Sequence, residues 1–286
     1  MGILTEATVR ATQLPEKEEY FAVFLRDFET GCQAAREMIQ ARLPLCLLRL
    51  SCANETTTTL VLAGHQKIIE VLEKYFSLRG LSCEKCMLLI GVSGYEGIVR
   101  AARREALEIA DNYKAVYVGK TFGREWHKNR FRTPYLRNAF WEMGYAIDTL
   151  ETAADWEKIP DLLEDMESAL NHGLDDIGEK VHVFTHLSQL YASGSSIYTT
   201  YIFRLHENPA ENLRRWQVLK TAVSEVITSH QATISHQHGI GTDHLPYLAQ
   251  EKGKLGMKVI ADICRRLDPQ QIMNPGKLIS LSGCAD

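Results

Sequence analysis

The sequence predicts an α+β fold: duplicated ferredoxin-like βαββαβ units forming one antiparallel sheet flanked by helices, followed by a C-terminal helical tail. Three observations carry that expectation. Short leucine- and β-branched-rich stretches alternate with amphipathic helical ones. The βαββαβ order reads once in the second half and, with one inserted helix, again in the first. Two such units join naturally into one sheet with helices on one side.

The opening, Ile3 to Pro15, alternates Leu4, Glu6, Thr8 and Arg10 before breaking at proline, and reads as one edge of a sheet. A strand from Tyr20 to Arg26 leads into a helix from about Phe28 to Arg42, with Ala34, Ala35, Met38 and Ile39 on one face. Leu45 to Leu50 is a strand. A helix over Gln66 to Leu78 ends at Arg79 and Gly80, where glycine takes the left-handed cap geometry. Strand Met87 to Val92, helix Tyr95 to Asp111 and strand Ala115 to Val118 close the first half.

The second half runs strand Tyr145 to Leu150, helix Asp155 to Asn171, strand His182 to Leu190 and strand Ser196 to Leu205. Helix Asn208 to Thr228 and strand Thr233 to Ser235 follow. Thr242 or Asp243 can cap a long helix to Leu267, stopped by Asp268 and Pro269, before the turn-forming Asn274, Pro275, Gly276 and Lys277.

At 286 residues and 45% hydrophobic the chain can bury a full core. Its formal charge of -4 is spread along the sequence, which leaves no basic face for nucleic acid and no polybasic membrane patch. A small-molecule ligand is therefore expected. The first residues carry charges where a signal peptide needs an apolar stretch, and no apolar run approaches ~20 residues, so a cytoplasmic protein is expected. Seven scattered cysteines fit a reducing compartment, and Cys83 with Cys86 is one isolated CxxC lacking the second ligand pair of a zinc site. No metal is expected.

The densest chemical cluster is Ser235, His236, Gln237, His238, Gly239, Ile240 and Gly241. Alternation on a strand puts His236 and His238 on one face, and the glycines behind them let backbone approach a bound group. The plainer reading is a strand end with solvated histidines. A second candidate runs from His186 to Gly194, where Tyr191 stands at a hairpin tip as a proton acceptor or, more plainly, as a packing residue with a wet hydroxyl. Arg49, among Leu45, Leu47, Leu48 and Leu50, needs a partner, either a protein carboxylate or an anionic substrate. Arg124, Lys128, Arg130, Arg132 and Arg137 interleave with Phe122, Trp126, Phe131 and Tyr135. That pattern suits an anionic, partly apolar ligand, and equally a solvated amphipathic loop.

Taken together, these segments resemble a known family. The opening GILTEATVRATQLPE resembles the end of the flavin-binding domain in FAD-linked oxidases of the vanillyl-alcohol oxidase superfamily. SHQHGIG, followed by a helix and LDPQQIMNPGKL, resembles their C-terminal signature. PLCLLRLS, FRTPYLRNAFWEMGYAIDTLETAADW and HLSQLYASGSSIY are most similar to the alkylglycerone-phosphate synthases and their bacterial relatives.

The resemblance implies FAD as cofactor and, by way of a flavin adduct, exchange of an acyl for an alkyl group on a dihydroxyacetone phosphate ester. It implies that residues 1–15 are a remnant of the FAD-binding domain, 16–241 a substrate-binding cap, and 242–286 a helix and tail returning to the FAD domain. By motif, Tyr191 is the base taking a substrate proton and His236 and His238 line the reaction centre. Arg49, Arg137 and His186 bind an anionic or lipid-like substrate, and His236, Gln237, His238 and Asn274 meet the flavin. Gln237 stands where relatives commonly carry a third histidine.

The main FAD cradle of the family lies upstream of Ile3, so the chain alone is expected to lack flavin binding and activity, with FAD brought by a separate FAD-binding chain or lost by truncation. Two other readings stay open. One is a D-lactate-type FAD-linked dehydrogenase fragment, whose relatives hold a metal with paired histidines and a glutamate. Gln237 and Tyr198 stand here where that glutamate and a second histidine are sought, which disfavours a metal. The other is a non-catalytic binding module that forms a homodimer through its sheet.

Overall fold

The computed structural model describes residues 2–62, 66–131 and 135–280. Its first half runs β1 (Lys17–Leu25), α1 (Phe28–Gln40), β2 (Leu45–Ser51), α2 (Ala53–Leu62), α3 (Gln66–Leu78), β3 (Cys86–Gly94), α4 (Glu96–Asn112) and β4 (Val116–Tyr117). Two short helices, α5 (Thr121–Asn129) and α6 (Leu136–Glu142), lead to the second half. That half holds β5 (Tyr145–Asp155), α7 (Ile159–His172), β6 (His182–Leu190), β7 (Gly194–Arg204), α8 (Pro209–Ser229) and α9 (Gly241–Leu267).

The seven strands form one sheet in the order β4-β1-β3-β2-β6-β7-β5. The first four have the ferredoxin-like arrangement, and β6-β7-β5 repeats three of its four strands in reverse, so the two units meet at β2 and β6, where Leu50 faces Leu187 and Ser51 faces His186. Asp27 caps α1 by accepting from the Thr30 amide at 2.7 Å, and Asn208 caps α8, whose first turn carries Pro209. Gly80 takes a φ of 79° after α3, the cap geometry read from the sequence.

Several expectations are corrected. Residues 3–15 form no strand: Ile3, Leu4, Val9 and Leu14 are all exposed, and no neighbouring strand among the described residues offers them a ladder. Thr233 to Ser235 is not a strand either. Only the Thr233 and His236 amides reach β5, at the carbonyls of Ala153 and Glu151. Side chains take two further backbone groups of the segment: Thr152 donates to the Thr233 carbonyl and Glu251 accepts from the Ile234 amide. The long C-terminal helix breaks at Gly253, whose φ of 68° is non-helical, and no side chain caps its start. Thr121–Asn129 and Leu136–Glu142 are helices rather than loop, while Arg132 lies outside the described residues.

Helices cover one face along the whole sheet and, over the first unit, the opposite face as well, where helices on one side only were expected. Phe21, Leu25, Leu50, Leu88 and Ile90 of the first unit share a core with Leu150, Leu187, Ile197 and Tyr201 of the second, closed by α1, α4, α7 and α8. Burying each such side chain contributes about 1.5–3 kcal/mol. On the opposite face Phe24, Leu89, Leu60 and Phe76 form a second cluster under α2, α3 and α5, confined to the first unit. Over β5, β6 and β7 that face carries Glu151, His186 and Tyr198, with Ile147, Phe184 and Ile202 toward one end of the strands.

One polar group belongs to the core side. Asp148 of β5 accepts from Tyr201 Oη at 3.0 Å and Trp216 Nε1 at 2.7 Å and pairs with Lys220 Nζ at 3.5 Å, tying α8 to the sheet. Burial works against its carboxylate, but Lys220 and the Trp216 hydrogen bond outweigh that and lower its pKa.

The β6–β7 hairpin depends on Gly194, because a Cβ there would stand 2.1 Å from the carbonyl oxygen of Ala154 on β5. We expect Gly194→Ala to lose about 1–3 kcal/mol in chemical denaturation. A variant as stable as the parent contradicts this register.

Candidate functional site

The site grows from the alternation of the strands. Arg49 and Ser51 on β2, His186 on β6, Tyr198 on β7 and Glu151 on β5 all point away from the main core, and His186, Tyr198 and Glu151 are direct cross-strand neighbours. They form a polar row across the second unit, on the face that carries the smaller apolar cluster in the first.

At one end, Arg49 Nη2 lies 2.6 Å from Glu55 Oε1, and the Nδ1 of His186 lies 3.1 Å from both groups. Glu55 comes from α2. Burial raises its pKa, but His186 and Arg49 outweigh burial and hold the carboxyl well below the usual range. Burial also lowers the pKa of His186, against the pull of Glu55, so the Arg49 guanidinium is the permanent positive charge of the three. The His186 ring then stacks on Tyr198 at 4.9 Å, and Tyr198 meets the His238 ring edge-on at 5.6 Å.

At the other end, Glu151 is buried and reaches two imidazoles. Its Oε1 is 2.9 Å from His236 Nδ1, and its Oε2 is 3.2 Å from His238 Nε2. The sequence expected a strand to bring these histidines to one side. A tight turn does it instead: Gln237 takes a φ of 60° and the His238 amide donates to the His236 carbonyl at 2.9 Å, while the Gln237 side chain is left exposed. Ser235 and His244 pin the loop from behind, the His244 Nδ1–H facing the Gly239 and Ile240 carbonyls at 3.2 and 3.1 Å.

Tyr191 completes the row. Its amide donates to Gly194 at 2.7 Å and Trp156 Nε1 donates to its carbonyl at 3.0 Å, so the hairpin tip is anchored while the ring stays 46% exposed. Its hydroxyl stands 3.2 Å from His236 Nε2. Tyr191, His236, His238, His186 and Arg49 are thus brought together on one face. Arg137 is exposed on α6 and Asn274 is exposed in the closing turn beside Cys264 and Asp268. No hydrogen bond or ion pair joins either to the row among the described residues.

Glu55 and Glu151 were missed by sequence reasoning. The available signals were the unpartnered Arg49 and a carboxylate set in the middle of a strand, between Leu150 and Thr152. Among the described residues no three His, Cys, Asp or Glu side chains converge as a metal-binding group, and no helix is long and apolar enough to cross a membrane.

Removing the Glu55 charge leaves the Arg49 guanidinium without its counter-charge, and Glu55→Gln is expected to cost about 3 kcal/mol at neutral pH. Because the folded pKa is depressed, this contribution is present above the unfolded carboxyl value and fades as pH falls toward the folded one. Denaturation of both proteins should therefore differ fully at neutral pH and converge in acid. A gap that widens in acid contradicts the pairing.

Known proteins share this architecture. The chain is 22% identical over 286 residues to an alkyldihydroxyacetonephosphate synthase of Dictyostelium discoideum, covering 98% of this chain and 46% of that protein. To the synthase of the same name from Trypanosoma brucei brucei it is 24% identical, covering 97% of this chain and 46% of the relative. A solved alkyldihydroxyacetonephosphate synthase superposes with a TM-score of 0.72 at 18% identity, over 92% of this chain and 45% of that one, which bears on the fold. The chain thus spans less than half the length of these relatives. The model of the family described as "FAD linked oxidases, C-terminal domain" matches residues 14–278, from just before β1 to the closing turn. With its sheet, its second polar face and nearly its whole length inside that match, the chain belongs to the family of FAD-linked oxidase C-terminal domains.

Proposed function

We propose that this chain is the substrate-side half of an FAD-dependent enzyme that exchanges the acyl group of a dihydroxyacetone phosphate ester for an alkyl group. The observation that carries the reading is the polar row from Glu55 to Tyr191, on a sheet face that has no apolar layer of its own over β5–β7. Kinship with the synthases supports the choice of substrate.

The face suits a flavin. His238 keeps 34% of its side-chain surface open and Tyr191 46% of its own, so imidazole and phenol groups are available to the polar edge of an isoalloxazine ring. When bound, FAD supplies the electron-accepting ring that the substrate carbon requires. The remaining work falls to this chain. Arg49, its charge shared with Glu55, offers guanidinium N–H groups to the phosphate end of the substrate, with Arg137 as a second cation on α6. Tyr191 takes a proton from the substrate carbon, and His236 and His238 hold the reacting groups in place. Overall, the fatty acid leaves, the oxygen of a fatty alcohol forms the new carbon–oxygen bond, and no net electrons are exchanged. On this reading residues 1–15 and 242–286 meet the FAD-binding part, which belongs to the same protein or to a separate chain.

The test is a product balance. The FAD-loaded protein, given a long-chain acyl ester of dihydroxyacetone phosphate and a labelled fatty alcohol, is expected to form labelled ether and free fatty acid one for one. Lasting bleaching of the flavin with an oxidised product, and no ether, contradicts the proposal.

A further inference from the structure

We infer that Glu151 is the positioning residue of this site: its one buried carboxylate fixes opposite tautomers on His236 and His238, aiming the free Nε2 of His236 at the Tyr191 hydroxyl. The function drawn from this rests on Tyr191 as proton acceptor. The tautomers themselves do not.

A carboxylate only accepts hydrogen bonds. Oε1 is hydrogen-bonded to His236 Nδ1 at 2.9 Å, so that nitrogen carries the hydrogen, and Oε2 stands 3.2 Å from His238 Nε2 as an ion-pair contact that favours a hydrogen there too. In the neutral ring His236 keeps a bare Nε2, and that atom lies 3.2 Å from Tyr191 Oη, placed to accept the hydroxyl hydrogen. His238 is left with a bare Nδ1. One residue therefore gives two neighbouring histidines opposite polarity.

Glu151 holds His236 twice. Its main-chain carbonyl also accepts the His236 amide at 2.8 Å, so backbone and ring are locked to the same strand position. The side chain is 4% exposed, and its ion-pair partners among the described residues are these two imidazoles. A buried carboxylate facing imidazole N–H groups is placed to stabilise a cation formed beside it. If the Tyr191 proton moves to His236 Nε2, the ring becomes an imidazolium facing Glu151, and the phenolate oxygen is free to take a proton from the substrate carbon. The electron pair of that C–H bond stays on the carbon. Each proton has a named donor and acceptor, and Glu151 acts throughout by way of His236.

The tautomers can be read without flavin or substrate. In the chain labelled with ¹⁵N-histidine, two-bond ¹H–¹⁵N spectra at neutral pH should show a protonated Nδ1 and bare Nε2 for His236, and the reverse for His238. Glu151→Gln, whose amide can donate as well as accept, should abolish that opposition, and Glu151→Asp should retain it in part. In the FAD-loaded protein Glu151→Gln should lower kcat about 10–100-fold with little change in KM. Protonated Nε2 on His236 in the parent protein overturns the inference, as does an unchanged pattern in Glu151→Gln. The parent spectrum alone decides the matter if that variant does not fold. Tautomers as expected together with a fully active Tyr191→Phe would uphold the positioning by Glu151 and sink the proton-acceptor role of Tyr191.

Discussion

Tyr191→Phe in the FAD-loaded protein is expected to lower kcat by about 10²–10⁴-fold, the range over which a positioned acid–base group acts. The substitution removes one oxygen and leaves the ring. Its backbone anchors, the Gly194 and Trp156 hydrogen bonds, do not involve the hydroxyl, so the hairpin should keep its place. Flavin absorbance and KM should change little, because Arg49 and its partners remain. The step lost is exchange of the substrate's carbon-bound hydrogen with solvent, which can be followed by deuterium uptake. Unchanged turnover refutes the assignment of Tyr191 as the base.

A second large effect is expected at the core rather than the site. Asp148→Ala should destabilise the domain by about 3–5 kcal/mol, since Lys220 is almost fully buried and would lose its counter-charge. The Tyr201 hydroxyl and Trp216 indole would lose their acceptor as well. The folded pKa of Asp148 is depressed, so its contribution is complete above the unfolded carboxyl value and is lost as pH falls through the folded one. Chemical denaturation at neutral and acid pH checks both statements. A neutral substitution would mean that Lys220 finds another partner.

Much of the sheet was legible because its strands alternate: Phe21, Val23 and Leu25 enter the main core while Ala22 and Phe24 enter the second cluster. Helix α1 announced itself through its small apolar face of Ala34, Ala35 and Met38, while its Asp27 cap was seen only in the structure. Helix α2 did not. Its run of Thr56, Thr57, Thr58 and Thr59 has poor helix propensity, and tertiary contacts override it: Thr56 Oγ1 accepts the Met87 amide, and Glu55 is held by Arg49 and His186. Missing α2 meant missing Glu55. The residues that converge from distant strands were named from local patterns and family resemblance, but their contacts depend on register. Glu151 lies opposite Tyr198, and no feature of its own neighbourhood points to His236, 85 positions later. The alternation argument for His236 and His238 reached the right pairing through the wrong geometry, because a left-handed turn at Gln237 does what a strand was expected to do.

The central claim is that the polar row running from Arg49 on β2 to Tyr191 at the β6–β7 hairpin receives the substrate. It is tested most directly by following the histidine ring signals of the FAD-loaded protein while a long-chain acyl ester of dihydroxyacetone phosphate is added. His236, His238 and His186 should shift together and saturably, while His172 and His206, exposed and outside the row, stay fixed. Saturable shifts at His172 or His206 with the row unmoved would contradict the account.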